Sequence, residues 1–181
     1  MALLAPGTHQ LGPDTGTVRV HTYREGIAQK VGHDLIIEVG QWQGTLEVGD
    51  DGEPQALAFE ADSSSLRVLE GARGVKPLTD KDRDEIKSNI DQKILQRRPI
   101  SFRSSAVELR DGHLAVQGEL AIAGTTRPAS FPLTLSPDGR LEARLPVTQS
   151  EWGIKPYRGL MGALKVRDDV EVVLDLRLPT S

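Results

Sequence analysis

The 181-residue sequence has no cysteine, few aromatic residues and no long apolar run. The absence of thiols excludes a disulfide scaffold, a thiolate metal site and a cysteine nucleophile. Aromatic residues make up 4% of the chain, so few rings are present to fill the interior of a large β-fold. No segment approaches the roughly 18 consecutive apolar residues of a membrane-spanning helix, and we expect no membrane span.

A strong excess of one charge is also missing. The 22 basic and 26 acidic residues give a formal net charge of -4 and are interspersed along the chain. Nucleic-acid binding needs a clustered basic face, so we expect no nucleic-acid partner. The first residues carry a short apolar patch over 2–5 without the basic start and apolar core of a signal peptide. The sequence therefore predicts a cytoplasmic protein.

Alternation of apolar and polar residues predicts that most of the chain forms β-strands. The pattern is clearest in three runs between Leu114 and Val147, which are broken at Gly124-Thr125-Thr126 and at Ser136-Pro137-Asp138-Gly139. A period of two over neighbouring runs indicates an antiparallel meander with one apolar face. An irregular lead-in is expected over residues 1–16 and long loops over 66–77 and 148–166. Further strands are predicted at 17–23, 31–39, 42–48, 56–63, 100–110 and 170–178.

One helix is expected, over residues 79–95. Thr79 can cap its first turn, with Asp82 at the capping-box position. Ile86, Ile90 and Ile94 recur every four residues and form a narrow apolar stripe, which we expect to cover an open end or a gap of a barrel. The sequence thus predicts one all-β domain over residues 1–181, an antiparallel up-and-down barrel of about eight strands with one α-helix. A barrel of this size can hold a ligand inside.

No pattern points to catalysis, a metal or a cofactor. The sequence lacks a Gly-x-Ser-x-Gly elbow, a P-loop and a dinucleotide fingerprint. The spacing of His9, His21, His33 and His113 matches no metal-ligand motif. His33 and Asp34 are the most catalytic-looking pair, but neighbours on a strand face opposite sides. We expect a protein that is not an enzyme and has no cofactor; an enzyme that acts on a small hydrophobic substrate, with His33 or His21 as its base, is one alternative.

Several segments resemble the YceI-like family. The run Gly118–Pro128, GELAIAGTTRP, is similar to the family pattern G-x-L-x-x-x-G-x-T-(K/R)-P. A W-x-G-x-L stretch at Gly44, an acidic helix, a Pro99-Ile-Ser-Phe run and a Glu151-Trp-Gly-Ile segment occur in the family's order, so the resemblance covers roughly residues 9–179. It implies an extended lipocalin-like barrel whose lumen holds a long polyisoprenoid or a similar amphiphilic lipid, and it implies a possible homodimer.

The inward-facing apolar residues are the candidate ligand contacts. Composition alone fits a filled core as well as a ligand-lined lumen, so a structural or stress-related barrel with a filled interior is a second alternative. The resemblance favours the lumen. Residues expected to line it are Val18, Val20, Leu35, Ile37, Phe59, Phe102, Leu120, Ile122, Phe131, Leu133, Leu145, Trp152, Val172 and Leu174. Basic residues of two long loops are candidates for contact with a phosphate head group: Arg73, Lys76, Lys155 and Arg158.

Overall fold

The structure, a computed structural model, describes residues 4–26, 30, 32–72, 74–159 and 164–178. Within these residues one α-helix, α1 (Asp80–Asn89), lies in a chain of β-strands. The strands are β1 (Gly7–Leu11), β2 (Gly16–Thr22), β3 (Arg24–Glu25), β4 (Asp34–Val39), β5 (Trp42–Val48), β6 (Pro54–Ala61), β7 (Leu66–Ala72), β8 (Ile100–Arg110), β9 (His113–Ile122), β10 (Thr125–Leu135), β11 (Arg140–Thr148), β12 (Arg158–Gly159), β13 (Leu164–Val166) and β14 (Asp169–Arg177).

Eleven strands form one antiparallel sheet, and β12, β13 and β3 form a second, smaller one. The strand order of the large sheet is β1-β5-β6-β8-β9-β10-β11-β14-β2-β4-β7. The predicted all-β antiparallel class with one helix is confirmed. The prediction of about eight strands in up-and-down order is wrong in strand number, and in the described sheet the up-and-down order holds only for β5–β6 and for β8 to β11.

Three short connections force the large sheet to curl. Residues 12–15 join β1 to β2, residues 40–41 join β4 to β5, and residues 62–65 join β6 to β7. In each case the two strands lie near opposite ends of the strand order. A two-residue connection reaches only about 10 Å, whereas strands in a flat sheet are separated by about 4.8 Å each. The sheet therefore curls into a half-barrel with its two ends close together.

Four strands lie where the sequence indicated irregular chain. The expected loop over 148–166 contains β12 and β13 of the small sheet, and β1 and β7 belong to the large sheet. The lead-in over residues 1–16 contains β1, which pairs with β5 so that Leu11 lies opposite Gly44. The expected loop over 66–77 begins with β7, which pairs with β4 and places Leu66 and Val68 in the core. The two edges of the large sheet are β1 and β7, and their partners are distant in sequence.

Hairpin turns join the strands of the predicted meander, although the first, between β9 and β10, lies one residue earlier than the predicted break, because both threonines of that break belong to β10. Asp111 and Gly112 join β8 to β9, and Ala123 and Gly124 join β9 to β10, with positive φ at both residues of each pair. Two-residue turns with positive φ match the twist of a β-hairpin. The Ser136–Gly139 turn is closed by hydrogen bonds between residues 136 and 140 and between 139 and 136.

The interior is filled by side chains near three hairpin turns, between β5 and β6, β8 and β9, and β10 and β11. Since these strands are antiparallel neighbours, the three turns lie at the same end of the half-barrel, which we call the closed end. Its packing consists of fully buried leucines that are at most 1% exposed: Leu46, Leu114, Leu133 and Leu141.

The helix begins with the predicted capping box. Thr79 Oγ1 accepts a hydrogen bond from the Asp82 backbone N–H at 3.1 Å, and Asp82 Oδ2 accepts one from the Thr79 N–H at 2.9 Å. A π-helical turn, Ile90–Ile94, extends α1. Arg83 donates to the backbone carbonyl of Leu69 at 2.7 Å, which fixes the helix along the free edge of β7. No helix among the described residues is both long and apolar enough to cross a membrane.

Candidate functional site

A cavity of about 620 Å³ lies inside the curled sheet. Inward-facing residues of β2, β4, β11 and β14 form much of its wall, and the helical segment adds Ile86, Ile90 and Ile94. The apolar stripe of the helix therefore covers the cavity, as its spacing predicted. Ligand pockets in proteins commonly measure roughly 300–1,000 Å³. This cavity is large enough for a small hydrophobic molecule or for a length of lipid chain.

Most of the residues expected on the lumen wall do lie on it. The twelve that line the cavity are Val18, Val20, Leu35, Ile37, Phe59, Phe102, Leu120, Ile122, Phe131, Leu145, Val172 and Leu174. The structure thus brings together side chains from eight strands, from β2 near the start of the chain to β14 near its end. Contact between these side chains and a ligand stays a prediction.

Two of the expected wall residues lie outside the wall. Leu133 is 1% exposed and belongs to the packing of the closed end, opposite Leu114 and Ala143. Trp152 is buried beside β9, where its Nε1 donates a hydrogen bond to the backbone carbonyl of Leu120 at 2.8 Å. Its indole ring is not part of the cavity wall, and its hydrogen bond anchors the segment that follows β11.

Two aromatic pairs form part of the wall. The ring centroids of Trp42 and Phe59 are 5.8 Å apart, and those of Phe102 and Phe131 are 5.4 Å apart. Separations in this range are typical of stabilising ring pairs. Trp42 was absent from the expected wall residues, although it shares its inward phase with buried Leu46 and Val48 and that alternation could have identified it.

The cavity has a polar mouth at the end opposite the closed end. Charged residues of both signs line it: Arg24, Lys76, Asp82, Glu85 and Lys165. A hydrogen bond from the Thr79 backbone N–H holds the pKa of the Asp82 carboxyl below its ordinary value, so this group stays ionised at neutral pH. The mouth therefore carries both positive and negative charges, and it would not attract anions alone.

His33 lies at this mouth, apart from the carboxylate next to it in sequence. Its Nε2 is 2.5 Å from the backbone carbonyl of Lys76, so Nε2 carries the proton and donates. A Cβ atom on Gly74 would overlap the imidazole ring, which shows how closely the chain after β7 packs on it. Asp34 instead accepts a hydrogen bond from the backbone N–H of Arg24 at 2.9 Å. The structure does not assemble His33 and Asp34 into a catalytic pair.

Of the three expected head-group residues that the structure describes, one lines the cavity. Lys76 lines the cavity at its mouth. Lys155 and Arg158 are exposed and lie outside the cavity wall. Arg73 lies outside the described residues. Within the described part of the chain, no group of three or more His, Asp or Glu residues is placed to hold a metal ion.

Comparisons with known proteins identify a family and a fold. The model of the YceI-like domain matches residues 13–178. No curated protein matches the chain in sequence. The fold is similar to that of Burkholderia cenocepacia BcnA, with a TM-score of 0.62, 16% identity, and 90% of this chain and 96% of that chain covered.

Two further solved structures share the fold. A Campylobacter jejuni YCEI protein gives a TM-score of 0.57 at 9% identity, with 80% of this chain and 85% of that chain covered. A polyisoprenoid binding domain from Saccharophagus degradans, implicated in plant cell wall breakdown, gives 0.54 at 10% identity, with 97% of this chain and 100% of that chain covered. At these identities the likeness shows the fold alone.

Proposed function

The chain belongs to the YceI-like family, and we propose that it is a non-catalytic carrier that holds a long polyisoprenoid or similar amphiphilic lipid in its cavity. The observation that carries the proposal is the cavity itself, about 620 Å³ with a wall of aliphatic and aromatic side chains. Apolar surface removed from water contributes about 25 cal/mol per Å². A hydrocarbon chain is the ligand that gains most from such a wall.

The distribution of polarity supports an amphiphile rather than a plain hydrocarbon. The closed end is packed with leucines, whereas the mouth carries Arg24, Lys76 and Lys165 together with Asp82 and Glu85. An amphiphile would place its chain toward the closed end and its polar group at the mouth. Lys76 is the expected head-group residue best placed to meet that group. The polyisoprenoid binding domain with the same fold is in keeping with this ligand class.

The two alternatives have less support. A barrel filled by its own side chains would leave no space of 620 Å³ inside, so the cavity favours a ligand over a filled interior. Catalysis by His33 would need a partner that orients its ring or accepts its proton. Its Nε2 bonds to the backbone carbonyl of Lys76, and the nearby Asp82 carboxylate accepts a hydrogen bond from the Thr79 backbone N–H in the helix cap. Those contacts favour a role for His33 in holding the chain that follows β7 against the mouth.

Gentle purification followed by organic extraction and mass spectrometry tests the proposal. The expected result is a long-chain isoprenoid-like lipid released in a fixed ratio to protein, and uptake of isoprenoid quinones or prenyl phosphates by protein stripped of it. Protein that is empty on isolation and takes up none of these lipids would overturn the proposal.

A pair of neighbouring valines on β14 provides a matched control. Val172 lines the cavity, whereas Val173 lies on the opposite phase and outside the wall. Val172→Phe adds volume to the cavity and should reduce lipid uptake, while Val173→Phe adds the same volume elsewhere and should leave uptake unchanged. Circular dichroism checks that both variants are folded. The expected homodimer and cytoplasmic location stay predictions; sedimentation analysis checks the dimer.

A further inference from the structure

Two exposed apolar side chains lie at the mouth of the cavity. Tyr157 lines the cavity and is 49% exposed, and Val75, which is 70% exposed, directly precedes the mouth residue Lys76. The only other large apolar residue that is exposed in the described part of the chain is Leu109, near the closed end. Tyr157 and Val75 give the rim of the opening apolar groups that could contact the apolar surface of a partner.

One side of the mouth, away from Asp82 and Glu85 of α1, carries a local excess of positive charge. We call the small sheet of β3, β12 and β13, with the residues that flank it over 23–25, 155–159 and 164–167, the mouth sheet. It contains five basic residues and one acidic residue, in a chain whose formal net charge is -4: Arg24, Lys155, Arg158, Lys165 and Arg167, with Glu25. Arg24 is paired with Asp34 and Arg167 with Glu25, so the excess rests on Lys155, Arg158 and Lys165, which have no ion pair among the described residues. The mouth sheet is therefore positive on an acidic protein.

Backbone contacts hold this charge next to the cavity. In the mouth sheet, Lys165 on β13 lies opposite Arg158 on one side and Glu25 on the other. The Val166 N–H donates to the carbonyl of Tyr157 at 3.0 Å, and the guanidinium of Arg167 lies 5.9 Å from the ring centre of Tyr23. The aromatic and basic groups are thus presented together, beside the opening through which a ligand would pass.

We propose that the mouth sheet docks on a lipid bilayer that contains anionic phospholipids. The inference rests on the proposed function, because a carrier that takes up a membrane lipid must place its opening against the bilayer. Tyrosine is enriched at the interface between lipid and water, and each Lys or Arg near an anionic surface contributes about 1 kcal/mol, or about fivefold in affinity. Acidic residues of α1 border the mouth as well, so the docked orientation sets the mouth sheet, rather than α1, against the phosphates.

Vesicle co-sedimentation tests the proposal with the full chain. Vesicles of phosphatidylcholine mixed with phosphatidylglycerol should bind the protein, and vesicles of phosphatidylcholine alone should bind it much less. High salt should release it, because the Debye length falls to about 3 Å at 1 M ionic strength. Equal binding to both vesicles, or binding to neither, overturns the proposal and leaves another protein as the partner of this surface.

Matched variants locate the contact. Arg158→Glu should weaken binding to the anionic vesicles by at least about fivefold, since it removes one cation and adds a repulsive charge; Tyr157→Ser should weaken it as well. Arg110→Glu and Leu109→Ser make the same kinds of change near the closed end and should leave binding unchanged. If the two variants near the closed end lose as much vesicle binding as Arg158→Glu and Tyr157→Ser, the proposed orientation is overturned.

The lipid content of the same preparations separates the two proposals. If extracted protein carries no lipid and takes none up, yet binds anionic vesicles through Arg158 and Tyr157, then docking stands and the carrier function fails. If the protein carries lipid but binds no vesicles, then the carrier function stands and docking fails.

Discussion

Gly118 lies directly against the ring of Phe102. A Cβ atom on Gly118 would be 2.7 Å from Cζ of that ring and closer still to the backbone carbonyl of Arg103 on the neighbouring strand. The missing side chain therefore leaves the space in which Phe102 stacks beside Phe131 on the cavity wall. This contact gives a physical reason for the first glycine of the Gly118–Pro128 motif.

Gly118→Ala should destabilise the protein by about 2 kcal/mol, because the added methyl group overpacks a site bounded by backbone and ring. Urea unfolding should show a lower midpoint with an unchanged slope. Gly12→Ala is the control, since a Cβ atom there would make only an ordinary contact of 3.7 Å with the carbonyl of Trp42. An equal loss of stability in both variants would contradict the role of the Phe102 contact.

The local elements were predictable because each depends on neighbouring residues. Alternation identified most strands, positive-φ turn residues marked the hairpins, and Thr79 with Asp82 marked the start of the helix. The spacing of Ile86, Ile90 and Ile94 even indicated that the helix covers an apolar space. The period of the pattern is set by backbone geometry, which tertiary structure leaves unchanged.

Depth along the half-barrel was not predictable from alternation. Phe131 and Leu133 share one phase of β10, yet Phe131 lines the cavity and Leu133 packs in the closed end. A period of two shows which face of the sheet a residue occupies, but not how far along the barrel it lies. The position of the cavity depends on where the hairpin turns meet, which is a property of the whole sheet.

The edge strands were missed for a related reason. β1 and β7 pair with β5 and β4, and each carries glycine or charge within a short run. An edge strand is unpaired on one side, and charged residues and short runs are common there, which weakens the alternation of apolar and polar residues. Their strand state comes from long-range contacts, which a single sequence does not display.

Thr22 at the end of β2 offers a test of cavity polarity. Its Oγ1 is buried and has no hydrogen-bond partner among the described residues, while the residue lines the cavity. A buried hydroxyl without a partner costs about 1–3 kcal/mol. Thr22→Val should therefore raise the free energy of unfolding of the lipid-free protein by about 1 kcal/mol in urea titrations.

Thr15→Val is the matched control for that substitution. Thr15 Oγ1 donates to the carbonyl of Gly12 at 2.9 Å and accepts from its N–H at 3.0 Å, so its hydroxyl is satisfied. Loss of these bonds should lower stability by about 1 kcal/mol. Stability changes of the same sign in the two variants would contradict the difference in hydrogen bonding.

Glu38 on β4 should make stability depend on pH. The hydrogen bond from Arg67, at 2.5 Å, holds the pKa of the Glu38 carboxyl below its ordinary value, against the opposing effect of burial. Because the folded-state pKa is the lower one, the stabilisation is fully present above the unfolded-state pKa of about 4.3. It is lost as pH falls through the folded-state pKa.

Glu38→Gln should thus be less stable than the wild type at pH 7, by about 1 kcal/mol or less because the Arg67 side chain is 61% exposed. The difference should shrink on acidification below about pH 4. Thermal unfolding across this range measures it. Glu151→Gln, at an exposed carboxylate without an ion pair among the described residues, should show no such trend. If the stability difference between Glu38→Gln and the wild type grew as the pH fell, the predicted direction of the Glu38 pKa shift would be wrong.

The two tryptophans should report ligand binding differently. Trp42 lies on the cavity wall beside Phe59, whereas Trp152 is buried outside it with its Nε1 bonded to the Leu120 carbonyl. A lipid in the cavity would displace water near Trp42 and leave Trp152 untouched. Titration with an isoprenoid quinone should therefore change the fluorescence of Trp152→Phe, which retains Trp42, and leave that of Trp42→Phe nearly constant. The opposite pattern would place the ligand outside this cavity.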